Sequence, residues 1–152
     1  MIRIFSKMTV ILMMTVAMAF PSLAETSADS IVLQNEAVAA FNRINEIRKQ
    51  NGLNEIRWMD ELGPATMTRA TEITTTWSHV RPNGSMWYTV DPNLLWGENL
   101  AEGYKTAAGA VNAWMASPSH KENILDQDYT GGNIQIVETN GHWYWANEFY
   151  EG

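Results

Sequence analysis

The sequence predicts an α+β fold in which helices cover a small antiparallel sheet. Two stretches in the first half carry apolar residues at helical spacing. The C-terminal part places two extended segments on either side of Asn140-Gly141, the strongest short hairpin signal there is. A run of helices followed by a run of strands argues for segregated α and β layers, not an alternating α/β pattern.

Residues 1–24 read as an address. Arg3 and Lys7 form a short basic start, and an uncharged stretch from Met8 to Phe20 follows. Pro21 breaks it, and Ser22-Leu23-Ala24 places small residues three and one positions before a cut at Glu25. The apolar run falls short of the roughly 20 residues that span a bilayer. The expectation is therefore a secretory signal peptide over residues 1–24 and one domain over residues 25–152, secreted or periplasmic, with no membrane span in the mature chain.

Residues 25–30 are small and polar and read as a frayed lead-in. Over residues 34–51, Val38, Phe41, Ile44 and Ile47 recur on one helical face, with Ala37 and Ala40 between them, and Asn51-Gly52 is a good stop. Residues 55–58 are a short extended candidate. A second helix is predicted from Asp60 as cap, with Pro64 in its first turn and Leu62, Ala65, Arg69, Ala70, Ile73 and Trp77 on one face. Residues 78–97 are rich in turn formers (Pro82, Asn83-Gly84, Asp91-Pro92-Asn93) and read as a long irregular segment, with a short strand candidate at residues 87–90. Thr106 caps a third helix through Ala107, Ala110, Val111 and Trp114, ended by Pro118. Ser119 and Glu122 form a capping-box pattern for one more helical turn. In the last strand Trp143, Trp145, Asn147 and Phe149 share a face. Core packing is enough to explain Trp77, Trp114 and the strand tryptophans; a stacking platform for sugars or bases is the alternative.

Composition narrows the function. The 152 residues are 45% apolar and 18% charged, an ordinary globular balance. With 10 basic and 17 acidic residues the net charge is −7, which repels phosphate backbones and argues against nucleic acid as a partner. The chain has no cysteine, so disulfides, thiol catalysis and cysteine-based zinc sites are excluded.

The three histidines hold the chemical interest. His79 follows the second predicted helix and His120 follows the third, while Glu98 lies between them next to Gly97. Two imidazoles and a carboxylate suit a divalent metal with an open position, or acid–base work near neutral pH. Their spacing matches no metal motif, and neither HExxH nor GxSxG is present. Each could equally be a capping or surface residue. His142, in the hairpin turn, reads as solvated.

Several strings occur together and in order: Asn45-Glu46-Ile47-Arg48 with Gly52-Leu53, Arg69-Ala70, Ser78-His79 with Arg81-Pro82, Gly97-Glu98-Asn99, residues 114–125, and Tyr144-Trp145 with Phe149. The chain resembles the CAP superfamily (the SCP-like extracellular domain of cysteine-rich secretory proteins, antigen 5 and pathogenesis-related proteins), in particular its bacterial branch. The resemblance implies an α-β-α sandwich and a cleft tetrad of two His and two Glu able in some members to hold zinc or another divalent cation. By position it implies His79, Glu98 and His120, with Ser117 where a second Glu stands elsewhere. It gives metal ligands His79, His120 and Glu98. Ser119 and Asn147 also depart from the family's usual Gly and Gln. A serine hydroxyl is a poor ligand or base.

Three functions are then in play. The first is a binding or interaction module for a small ligand, lipid, peptide or glycan. A second is a metal- or His/Glu-dependent, peptidase-like hydrolase with Glu98 as base and His79 and His120 holding the water. In the third, the polar cluster only staples the long loop.

Overall fold

The computed structural model describes residues 23–152. The leader reading falls outside them except for Leu23 and Ala24, which open the first helix. Helix α1 spans Leu23–Gln50, so the predicted lead-in at residues 25–30 is helical instead of frayed; Asp29 puts negative charge in the N-terminal part of the helix. Ala37, Ala40, Phe41, Ile44 and Arg48 form its buried stripe. Val38, expected on that face, is 39% exposed, because the stripe follows the i, i+3, i+4, i+7 row from Ala37. Gly52 ends the turn at φ +76°, a conformation only glycine takes cheaply.

Strand β1 is the two-residue Arg57–Trp58. A 3-10 turn over Asp60–Leu62 leads into α2, Gly63–Glu72. Asp60 therefore does not cap α2; its carboxylate accepts the Trp58 indole N–H at 2.9 Å. Helix α2 stops before the predicted end, as the hydroxyls of Thr74 and Thr75 bond back to carbonyls three residues earlier. Trp77 consequently lies beyond the helix and is 49% exposed, not core.

Within the long loop, residues 87–90 form a 3-10 turn and not a strand; Thr89 donates both its N–H and its hydroxyl to the Met86 carbonyl. Strand β2, Gly97–Glu102, was not visible as a strand in the sequence. Both its faces are covered, so it lacks the alternation that marks a half-buried strand.

Helix α3, Ala107–Ala116, is capped by Thr106, whose hydroxyl accepts the Gly109 N–H at 3.1 Å. Helix α4, Pro118–Leu125, follows at once, with Ser117 at its cap position and Pro118 opening its first turn. The capping box expected at Ser119 is therefore not used. Strands β3 (Tyr129–Thr139) and β4 (His142–Glu151) form the hairpin, with Asn140 and Gly141 at φ 53° and 77°. Both positive values match a type I′ turn.

The sheet order is β1-β3-β4-β2. β3–β4 and β4–β2 are antiparallel, but β1–β3 is parallel, so the sheet is mixed and not wholly antiparallel. The chain between β1 and β3 contains three helices and a strand, ample for the crossover a parallel pair needs. One sheet face carries Ile134, Ile136, Trp145 and Phe149 against α1 and α3; Trp114 and Trp145 meet edge-to-face at 6.4 Å. The opposite face carries Leu100 and Ala146 against Ala70 and Ile73. This is an α+β sandwich of helix, sheet and helix.

Arg48 is fully buried, but it forms no ion pair among the described residues. Its guanidinium donates to the carbonyls of Asn54, Ile124, Asp126 and Tyr129, tying α1 to the end of α4 and the start of β3.

Candidate functional site

The free edge of β2 carries the site. Glu98 and Glu148 face each other across β2 and β4, as do Leu100 and Ala146, so both acids lie on the sheet face that α2 covers. Arg69 reaches them from α2 with its side chain wholly buried. Its Nε donates to Glu98 Oε2 at 2.7 Å and its Nη2 to Oε1 at 3.2 Å. The same guanidinium donates to Glu72 Oε2 at 2.6 Å and to the Ser78 carbonyl at 2.8 Å. Glu72 is held in turn by Arg81, at 2.8 and 2.9 Å. An alternating chain of charge, Arg81–Glu72–Arg69–Glu98, therefore pins the start of the long loop to α2.

His79 completes this chain. Its Nδ1 lies 2.6 Å from Glu98 Oε1. Burial alone would raise the Glu98 carboxyl, but hydrogen bonds from His79 and Arg69 outweigh it and hold the acid below the usual carboxylate range. An ionised carboxylate only accepts, so Nδ1 carries a proton, and Nε2 has no partner among the described residues. The ring itself is half exposed, with 49% of its side chain open.

His120 comes from the first turn of α4, and buried amides place it. The Asn99 amide donates to the His120 carbonyl at 3.0 Å, and Asn123 donates to the Asn99 side-chain oxygen at 2.8 Å and to the Glu98 carbonyl at 3.1 Å. This agrees with the reading of Asn99 as a backbone holder. Burial, and then the nearby His79, push the His120 imidazole below its ordinary value, so it stays neutral at pH 7.

Three abutting hollows share His120. One, of about 320 Å³, is lined by His79, Trp96, Glu98, Ser119 and Glu122 among others. A second, about 200 Å³, runs between Trp77, His79 and His120. The third, about 280 Å³, has Trp77, Tyr104 and Ser117 in its wall. Thus His79, Glu98 and His120 line one hollow, and Ser117 lines its neighbour. Ser117 is the junction of α3 and α4, with its hydroxyl 3.4 Å from that of Ser119. His142 lies on the hairpin, 3.4 Å from Glu102, and lines none of these hollows.

The donor set does not match the expected metal centre. Both Glu98 oxygens are engaged by Arg69 and His79, and a guanidinium behind the carboxylate adds positive charge. Among the described residues no group of three His, Asp or Glu is arranged to share an ion. The same engagement makes Glu98 a poor general base; a group with its proton affinity lowered and its lone pairs occupied has little capacity to take a proton from water.

Two contributors were not singled out from the sequence as site residues. Arg69 appeared only as part of a helical stripe; a charged residue on an otherwise apolar face was the available signal. Glu148 sits between Asn147 and Phe149 and is completely buried. As a carboxylate neither of its oxygens has a donor among the described residues, but as a protonated acid it hydrogen-bonds to Glu98 across the strand pair. Burial, and the charge of Glu98 across the strand pair, push its carboxyl well above the usual range and favour the protonated acid.

The model of the cysteine-rich secretory protein family, CAP, matches residues 41–150. Uncharacterized protein YkwD of Bacillus subtilis (strain 168) is 43% identical over 47 residues, which are 31% of this chain and 18% of that protein. An extracellular protein containing an SCP domain from Bacillus anthracis str. Ames superposes with a TM-score of 0.74 at 16% identity, covering 88% of this chain and 45% of that one. An outer surface protein of Borrelia burgdorferi gives 0.66 at 22% identity, covering 78% and 94%. A cysteine-rich secretory protein of Staphylococcus aureus gives 0.62 at 16% identity, covering 78% and 39%. At these identities the structures share the fold. The chain spans less than a fifth of YkwD and under half of the Bacillus anthracis protein. It belongs to the cysteine-rich secretory protein (CAP) family, although it contains no cysteine.

Proposed function

We propose that this CAP-family chain is an exported binding domain, residues 25–152, that takes a ligand in the cleft around His79, Glu98, Ser117 and His120. One observation carries the reading. A His79 ring oriented by a buried, charge-balanced carboxylate stands beside a neutral His120 ring, and both line the same hollow. Most polar atoms behind them are consumed in holding the loop, whereas the Nε2 edge of His79 is left for a ligand. Such an arrangement offers a ring nitrogen at a fixed position, which suits recognition of a hydroxyl or amide.

Export rests on the leader of residues 1–24 and on relatives described as extracellular or outer surface proteins. A cut before Glu25 would cost the fold only the first two residues of α1.

A hydrolase with Glu98 as base is disfavoured by the engagement of both its oxygens. The stapling role is real but incomplete: Arg69 and Glu72 tie the loop, yet His79 adds only one bond to that network while exposing half its side chain.

The test is a ligand-observed NMR screen with a fragment set of sugars, peptides and amphiphiles, repeated on His79→Ala and His120→Ala. The reading predicts hits that both substitutions abolish while the melting temperature moves by a few degrees at most. Hits that persist in both variants, or a collapse in stability with no change in binding, would refute it.

A further inference from the structure

Exposed aromatic rings gather around the three hollows. Trp77 is 49% exposed, Trp96 51% and Tyr104 40%, and each lines a hollow that includes His120. They belong to different hollows. Trp77 and Tyr104 line one that includes His120, and Trp87 and Trp96 line another that includes it. The hollow that shares residues with both is lined by the imidazoles His79 and His120. Large rings left half in water are unfavourable unless something covers them, and indole and phenol faces suit the C–H face of a sugar ring.

The alternatives fit less well. An extended peptide would pair with the free edge of β2, but the Glu98 and Leu100 carbonyls there are already taken by Asn123 and by the Trp114 indole N–H. An acyl chain would lay methylenes against two imidazoles and Glu122 in the middle of the row, leaving polar groups without partners. Charge complementarity selects further. No Lys or Arg lines any of the three hollows, Glu102 and Glu122 do, and the nearest guanidinium, Arg69, is buried and paired. An anionic polysaccharide is repelled; an uncharged one is not.

We propose that the row of hollows binds an uncharged, chain-like glycan laid across His120, with sugar faces on Trp77 and Trp96 and hydroxyls on the imidazoles. This rests on the binding reading above and names its ligand class. Aromatic rings in different hollows make the site longer than one sugar ring, so affinity should rise with chain length.

The probes are chitohexaose, chitobiose, heparin and phosphatidylcholine vesicles, titrated into residues 25–152 with tryptophan fluorescence and calorimetry as readouts. Expected are binding of chitohexaose at least tenfold tighter than of chitobiose, no binding of heparin, and a loss of roughly tenfold for Trp96→Ala and for Trp77→Ala, the order of one stacked ring. Both substitutions are at exposed positions, so unchanged melting temperatures should accompany the loss. Absence of chitohexaose binding, preference for heparin, or full affinity in both tryptophan variants would overturn the proposal. Vesicle binding without glycan binding would overturn it too while leaving a ligand in the His79–His120 cleft, and failure of the fragment screen would remove that cleft as well.

Discussion

Glu148→Gln should stabilise the protein, and by an amount that grows with pH. Glu148 is 0% exposed, has no donor to its oxygens among the described residues, and faces the ionised Glu98 across β2 and β4. Its carboxyl is therefore held well above the usual range of about 4.5. The unfolded chain releases this proton first as pH rises. The stability linked to it is complete below the unfolded value and drains away as pH rises toward the folded one, at up to about 1.4 kcal/mol per pH unit. Glutamine keeps the shape and has no proton to lose. The gap between variant and wild type should therefore be small at pH 4.5 and widen above it, by roughly 4 °C in melting temperature per kcal/mol for a domain of this size. His120 works in the opposite sense over part of this range. Its lowered value gives stability that is present above ~6.5 and lost as pH falls, but it is common to both proteins and cancels in the difference. Thermal melts by circular dichroism at half-unit steps from pH 4.5 to 8 read the gap. A constant gap would mean that Glu148 ionises normally in the folded protein, and the account of the buried acid pair would be wrong.

Other substitutions report on the scaffold behind the cleft. Arg69→Met strands the buried Glu98 charge and breaks the tie to Ser78, so chemical denaturation should show a loss of about 3–5 kcal/mol; a change under 1 kcal/mol would show that the carboxylate has another partner. Asn99→Ala removes the grip on the His120 carbonyl and one of the two acceptors of Asn123, and should cost about 1–3 kcal/mol while shifting the His120 ring resonances. Gly132→Ala would put a methyl 2.8 Å from the Glu148 carbonyl and 3.2 Å from the Phe41 ring, and overpacking of about 1–3 kcal/mol should appear in the same assay.

The residues that announced themselves in sequence did so through strong local rules. Asn140-Gly141 could scarcely be anything but the hairpin turn, and Thr106 and Gly52 mark helix ends by their own chemistry. Strand β2 stayed hidden because its inward groups on both faces include Glu98 and Asn99, which read as loop residues until their partners are known. Those partners, Arg69, His120 and Asn123, lie between 21 and 29 positions away, beyond any local pattern. The parallel pairing of β1 was illegible for a similar reason: two residues carry no register of their own. His79, Glu98 and His120 could be nominated from residue type and family resemblance. What their order along the chain could not convey is that Glu98 is spent on Arg69 and His79, which removes it as a free ligand or base. The exposed Trp77 was misplaced because the helical period was carried past Glu72, where threonine hydroxyls compete for the backbone.

The orientation of His79 is the point on which the cleft depends. Nitrogen-15 NMR of the histidine rings at pH 7.5 reads it directly. A proton on His79 Nδ1, together with through-space contacts between the His79 and His120 rings, is the predicted result. A bare Nδ1, or rings too far apart to show any contact, would contradict it.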